Sequence, residues 1–320
     1  MENETDVARP DLVVVLGPTA SGKSALGIAL AQQFNGEIVS ADSRQVYRGL
    51  DVGTAKVTPH ERSLVPHHLL DVVEPEEIYS VAQFQREVIA TIDAILRREH
   101  LPLLVGGSPH YIQTVVDNFD IPTVEPQPEL RAQLESRPLE DLLCELEQLD
   151  PQSAASVDRK NPRRVIRALE VCLVTGKPFS QQRRIARPLY RCLLLGIQWP
   201  REVLYQRIDS RIDERLQQGL VAEVQEQLEK GLSHERLDSF GLEYRFVSRW
   251  LRGEFASEAE MVQRLKYASH DFARRQLSWF RRDQRILWLD GAEGDLVARA
   301  SAAVRAFLTH PKESAPAARQ

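Results

Sequence analysis

Short, almost uninterrupted apolar runs alternate with segments of helical period through the first hundred residues. Leu12 to Leu16, Glu37 to Ser40 and Leu101 to Val105 have the length and composition of strands buried on both faces. Between them, the stretches from Ala25 to Phe34 and from Val81 to Arg98 repeat apolar residues at helical spacing. That alternation predicts an α/β fold in which a parallel sheet is flanked by helices. Three prolines between Ile121 and Pro128 then break the pattern, and the chain up to Arg187 is helical, charged and free of strand-like runs. The run RCLLLGIQ, Arg191 to Gln198, restores a strand; helical periods follow from Pro200, and Ile286 to Leu289 is a last short apolar run. The expected organisation is a core in two parts, 1–121 and 191–310, with a helical domain inserted at 122–190 and a disordered tail at 311–320. No internal repeat is present.

Between the first strand and the first helix stands GPTASGKS, formed by Gly17, Pro18, Thr19, Ala20, Ser21, Gly22, Lys23 and Ser24. Strand, glycine-bounded loop and helix in this order read as a phosphate-binding loop on a P-loop NTPase-like core. Glycines let successive backbone N–H groups curl around an anion, and the following helix adds its positive dipole end. Lys23 is placed for the terminal phosphates, and the Ser24 hydroxyl for a magnesium ion bridging them. The loop alone leaves open whether the ligand is ATP, another nucleotide or some other diphosphate.

Composition narrows the class. The 320 residues exceed the needs of one small α/β domain, with 42% hydrophobic and 27% charged residues, and no apolar run approaches a membrane span. The start MENETDVARP lacks the basic and apolar regions of a secretory leader, and Cys144, Cys172 and Cys192 are widely spaced, so a soluble, cytoplasmic, reduced setting is expected. With no Cys-x-x-Cys pair, any metal is expected to be a hard cation held by oxygen. A net charge of −5 argues against a protein that coats nucleic acid, but arginines collect at Arg163, Arg164 and Arg167, at Arg183, Arg184 and Arg187, and from Arg274 to Arg285. Such clusters fit a local basic surface or solvated helix faces.

The second strand runs into SADSRQVYRG, which puts Asp42 at a carboxyl end of the sheet beside the phosphate loop. An acid there can ligate magnesium, accept a proton from a nucleophile, or cap a helix. The strand LPLLVGG ends in glycines where a nucleotide hydrolase carries a metal-binding aspartate, which weakens an ATPase reading. Ser108 follows directly, as a helix cap or as a hydroxyl for the reacting centre. His67 and His68 have no third ligand at recognisable spacing, so a turn or packing role is expected of them. Trp279 and Phe280, between Arg274 and Arg282, are expected in the core.

Several motifs together resemble the tRNA dimethylallyltransferase (isopentenylpyrophosphate tRNA transferase) family, bacterial type. They are GPTASGKS, DSRQVY at Asp42 to Tyr47, DVGTAK at Asp51 to Lys56, PHHLLDV at Pro66 to Val72, YSVAQF at Tyr79 to Phe84, the paired glycines with Ser108, NPRRVIRALEV at Asn161 to Val171, and ARRQLSWFRR at Ala273 to Arg282. The resemblance implies transfer of a dimethylallyl group from dimethylallyl diphosphate, with Mg2+, to the exocyclic amine of the adenosine just 3′ of the anticodon. The product is N6-(dimethylallyl)adenosine in tRNAs reading codons that begin with U. It implies that Asp42 takes the amine proton, that Ser108 orients the amine or a diphosphate oxygen, and that Lys23 and the loop hold the leaving diphosphate. Asp42, Ser43, Arg44, Gln45, Ser108 and Arg131 would contact the tRNA anticodon stem-loop, and Arg163, Arg164 and Arg167 would grip its backbone. A monomer is expected.

The chain departs from the family pattern at three places. Ser108 stands for the usual threonine, Gly241-Leu242-Glu243-Tyr244 for Gly-Tyr-x-Glu, and Ser269-His270 for Thr-Arg, which bears on one expected phosphate contact. The competing readings are prenyl transfer to free AMP or ADP, a small-molecule kinase of the adenylate or shikimate type, and a noncatalytic RNA-binding switch. The inserted segment and arginine clusters favour an anticodon arm over a free nucleotide.

Overall fold

The computed structural model describes residues 9–120, 124, 127–182, 184–185 and 187–310. The expected boundary at 121/122, Arg183 and the expected tail at 311–320 lie outside the described residues. The described strands are β1 (Asp11–Leu16), β2 (Gly36–Ser40), β3 (His67–His68), β4 (Leu101–Gly106), β5 (Phe119–Asp120), β6 (Arg184–Ile185), β7 (Arg191–Gln198) and β8 (Ile286–Asp290). Six of them form one sheet in the order β3-β2-β4-β1-β7-β8, every neighbouring pair parallel. β1 and β4 are central, and their near-continuous apolar sequences follow from burial on both faces: Leu12, Val13, Val14, Val15, Leu103 and Leu104 are fully buried.

The chain divides into two compact units, residues 1–116 with 189–320, and residues 117–188. In the first unit the sheet is covered on one face by helices Lys23–Gln33 and Leu296–Thr309, and on the other by the Val81–Arg97 helix, which buries Phe84, Val88, Ile92 and Ile95. Ser80 caps that helix by accepting the Gln83 N–H at 3.1 Å. The long Glu258–Phe280 helix and the Arg201–Gln217 helix pack together through Leu204, Ile208, Ile212 and Leu265. Phe280 is buried and Trp279 packs against the core beside it, as expected of both.

The second unit has its own apolar centre, built from Leu134, Leu142, Leu146, Val165, Ile166 and Leu169 on helices Pro128–Glu135, Leu139–Leu149 and Pro162–Thr175. It is not free of strands: β5 pairs antiparallel with β6, two residues on each side. Pairing this short carries no apolar period for a sequence reading to find. The same holds for β3, a two-residue edge strand beside β2.

Candidate active site

The phosphate loop, Asp42 and Ser108 follow β1, β2 and β4, three adjacent strands, so their carboxyl ends bring the residues together. Gly22, with φ of 95°, turns the loop into the Lys23–Gln33 helix without a side-chain cap. Among the described residues the N–H groups of Gly22, Lys23 and Ser24 have no acceptor, so the helix's positive end is open to an anion. The loop is braced from outside. Trp199 Nε1 donates to the Ser21 carbonyl and Arg207 Nε to that of Ala20, both at 2.9 Å, and the Arg207 guanidinium lies 4.3 Å from the Trp199 ring centre. Gln276 ties two strand ends: its Oε1 accepts the Thr19 N–H at 2.9 Å, and its Nε2 donates to the Gly107 carbonyl at 2.7 Å. The Thr19 amide is therefore used by Gln276. Pro18 contributes its carbonyl, which accepts Lys23 Nζ at 2.8 Å.

The paired glycines are there for close approach. A Cβ on Gly106 would stand 2.3 Å from the Ala41 carbonyl oxygen, and one on Gly107 would stand 3.3 Å from Lys23 Nζ. Absence of side chains lets the β4 end lie against the Asp42 turn and the lysine. Asp42 Oδ1 accepts the Arg44 N–H at 2.8 Å, and Oδ2 has no partner among the described residues. Ser108 Oγ accepts the Ser43 N–H at 3.3 Å, so this hydroxyl joins the β4 turn to the β2 turn.

Charge at the centre is desolvated and mostly unpaired. Burial, and secondarily the positive charge of Arg211, lowers Lys23 to about 7, with Asp42 opposing. Burial and Arg215 bring Arg211 down to about 10 against Glu243, Asp42 and Glu214. Arg44 is also lowered by burial, with Tyr47, Asp42 and Tyr111 opposing. Neither the Arg44 nor the Arg211 guanidinium has a hydrogen bond or ion pair among the described residues. One carboxylate thus shares its surroundings with Lys23, Arg44 and Arg211, a preformed anion site with a base at its edge.

A family profile described as IPP transferase matches residues 45–283. The tRNA dimethylallyltransferase of Roseiflexus sp. is 46% identical over 301 residues, covering 93% of this chain and 98% of that one. The full-length tRNA isopentenylpyrophosphate transferase of Bacillus halodurans superposes with a TM-score of 0.71 at 35% identity, over 94% of this chain and 97% of that one. A eukaryotic dimethylallyltransferase acting on tRNA superposes with a TM-score of 0.81 at 28% identity, over 96% of this chain and 82% of that one. The chain belongs to the IPP transferase family.

Within this family member, the sequence reading missed Arg211, Arg207 and Gln276. Gln276 stands in the ARRQLSWFRR motif, but only the fold shows that it reaches the phosphate loop; Arg207 and Arg211 both lie in the charged helical run RIDSRIDERL, where nothing separates them from surface charges. The side chain of Gln45, expected at the tRNA, is engaged internally: Nε2 donates to the Thr54 and Ala55 carbonyls at 3.3 and 3.1 Å, and Oε1 accepts Ser40 Oγ at 3.1 Å. DVGTAK is the structural counterpart of that bond. Glu223 accepts the N–H groups of Asp51, Val52 and Gly53 at 2.8, 2.8 and 3.0 Å, and the Tyr244 hydroxyl at 2.5 Å. The departure Tyr244 is fully buried, with its ring 2.5 Å from where a Gly53 Cβ would stand. Leu242 packs beside Leu204 and Leu265, and Glu243 pairs with Arg215. His270, in place of an arginine, stacks on Tyr205 at 4.0 Å and pairs with Asp209 at 2.7 Å.

In the 117–188 unit, Arg163 and Arg164 are exposed without an ion pair among the described residues, whereas Arg131 and Arg167 are bound to Glu170. No group of three or more His, Cys, Asp or Glu able to hold a metal exists among the described residues. His68 and His100 instead join Arg98 around buried Glu37. No helix among the described residues is long and apolar enough to cross a membrane.

Proposed function

We propose that the protein transfers a dimethylallyl group from dimethylallyl diphosphate to the exocyclic amine of the adenosine 3′-adjacent to the anticodon of tRNA. The observation that carries the chemistry is the cluster of Lys23, Arg211 and the open helix end around one under-coordinated carboxylate, Asp42. The carbon–oxygen bond of the allylic diphosphate breaks, and its electron pair leaves on a diphosphate oxygen. The loop amides, Lys23 and Arg211 stabilise that charge in a site where burial strengthens the interaction. The amine nitrogen forms the new bond to the allylic carbon, and its proton passes to Asp42 Oδ2. Ser108 keeps the Asp42 turn in place through Ser43.

The residues fit a diphosphate-borne Mg2+: among the described residues the Ser24 hydroxyl has no partner, and no group of three or more His, Cys, Asp or Glu stands ready to cage a metal. Such an ion would be held by Ser24 together with the substrate's phosphates and would supply further neutralisation of the leaving group. The acceptor adenine is stacked in the anticodon loop, so it must be extruded to reach Asp42. Arg44, beside Asp42 and without an ion pair among the described residues, and exposed Arg163 and Arg164 support contact with RNA. A tRNA acceptor supports a cytoplasmic location, and action as a monomer is part of this reading.

Incubation with dimethylallyl diphosphate, Mg2+ and an anticodon stem-loop, followed by nucleoside mass analysis, is expected to yield N6-(dimethylallyl)adenosine. Strong turnover with AMP alone would remove the tRNA acceptor. Tight ATP binding without dimethylallyl diphosphate binding would favour a kinase.

A further inference from the structure

Glu170 lies on the Pro162–Thr175 helix and is fully buried, yet it takes four hydrogen bonds. Arg131 holds it as a fork, Nε to Oε1 at 2.7 Å and Nη2 to Oε2 at 2.8 Å. The Gln127 N–H donates to Oε1 at 2.8 Å and Arg167 Nη1 to Oε2 at 2.5 Å, while Arg167 Nη2 reaches the Val124 carbonyl at 3.0 Å. Burial disfavours the charged carboxylate, but the bonds from Arg131, Gln127 and Arg167 outweigh it and hold Glu170 at about 2.

Two arginines surround the carboxylate, both with about a third of the side chain exposed, 33% for Arg131 and 28% for Arg167, so guanidinium surface stays open to solvent beside it. The fork fixes the plane and direction of the Arg131 guanidinium, and its third nitrogen, Nη1, has no partner among the described residues. Exposed Arg163 and Arg164 stand one turn before Arg167 on the same helix, next to its positive end. A free arginine loses rotamer entropy when it captures a phosphate, and one already clamped in direction loses little.

We infer that Glu170 is a positioning residue for RNA binding: its buried carboxylate aims the free guanidinium edge of Arg131 at a phosphate of the tRNA backbone. This rests on the tRNA reading above.

Glu170→Gln keeps the shape and removes the charge that clamps the fork. In the full-length protein, the KM for an anticodon stem-loop is expected to rise about tenfold, while kcat at saturating RNA and the KM for dimethylallyl diphosphate stay at wild-type values. The slope of log affinity against log salt is expected to shrink by about one. The Glu170→Gln/Arg131→Gln double variant is expected to bind RNA no more weakly than Arg131→Gln alone, because Glu170 acts through Arg131. A simple loss of packing would move the melting curve without altering the salt slope or producing that non-additivity. Arg131→Lys, which leaves the carboxylate paired with Arg167 but abolishes the fork, is expected to show the same rise in KM. It carries the test if Glu170→Gln does not fold. An unchanged KM and salt slope in the folded variants, or additive effects in the double variant, would overturn the proposal. Failure of the wild-type protein to bind the stem-loop would instead strike the tRNA reading.

Discussion

Two carboxylates at opposite ends of the same strand, Glu37 near the start of β2 and Asp42 just past its end, are treated in opposite ways. Glu37 is buried and saturated. Arg98 donates from Nε and Nη2 at 3.0 and 2.7 Å, and His68 and His100 each lie 2.6 Å away. Hydrogen bonds from Arg98, acting against burial and reinforced by the two histidines, hold it at about 2. Among the described residues Asp42 takes a single hydrogen bond and leaves one oxygen open, although Lys23, Arg44 and Arg211 surround it without an ion pair. A charge cluster that serves the fold satisfies every atom; one that serves a reaction leaves donors and acceptors for a substrate.

The comparison is broken most severely at its catalytic end. Asp42→Ala is expected to lower kcat by roughly two to four orders of magnitude while stem-loop affinity and the melting temperature stay near wild type. Near-normal transfer in single-turnover assays would remove Asp42 as the base. At the structural end the pattern reverses. Glu37→Gln is expected to cost about 3 kcal/mol or more in urea unfolding at neutral pH, with transfer per folded molecule unchanged. The sign follows from a folded value of about 2 against an ordinary 4.5: the stabilisation is fully present above the unfolded value and lost as pH falls towards 2. The variant's stability is therefore expected to be flatter across that acid window.

Lys23 provides a finer test, because a functional amine lowered to about 7 must regain its proton to hold a diphosphate above that pH. The KM for dimethylallyl diphosphate is expected to climb about tenfold per pH unit above 7 and to level off below it. Arg211→Gln removes one cause of the lowering, so the break is expected at higher pH, together with a higher KM at neutrality. An unmoved break would separate Arg211 from the lysine. The smallest effect is expected of Ser108→Ala, which loses one hydrogen bond to the Ser43 N–H, worth about 1 kcal/mol, read as a several-fold drop in kcat.

The five long strands and the helices around them were legible in the sequence, since burial on two faces or on one stripe writes an apolar period into the chain. The positions of Lys23, Ser24, Asp42 and Ser108 were legible too: Asp42 and Ser108 lie two residues past strands whose ends the α/β order places at one edge of the sheet, and Lys23 and Ser24 open the helix that follows the loop after β1. The two-residue strands were not, for they carry no period.

The remainder was decided by tertiary contacts between residues far apart in the chain. Gln276 meets Thr19 across 257 positions, Arg207 meets Ala20 across 187, and Glu223 meets Gly53 across 170. A local pattern records what each residue does to its own helix or strand, so it places a polar side chain on a face without naming its partner. Arg163 and Arg131 look alike in sequence, yet one is exposed and the other is clamped by a buried glutamate. That distinction arises only when folding removes water from Glu170, because a desolvated carboxylate must recruit donors from wherever the packed chain brings them.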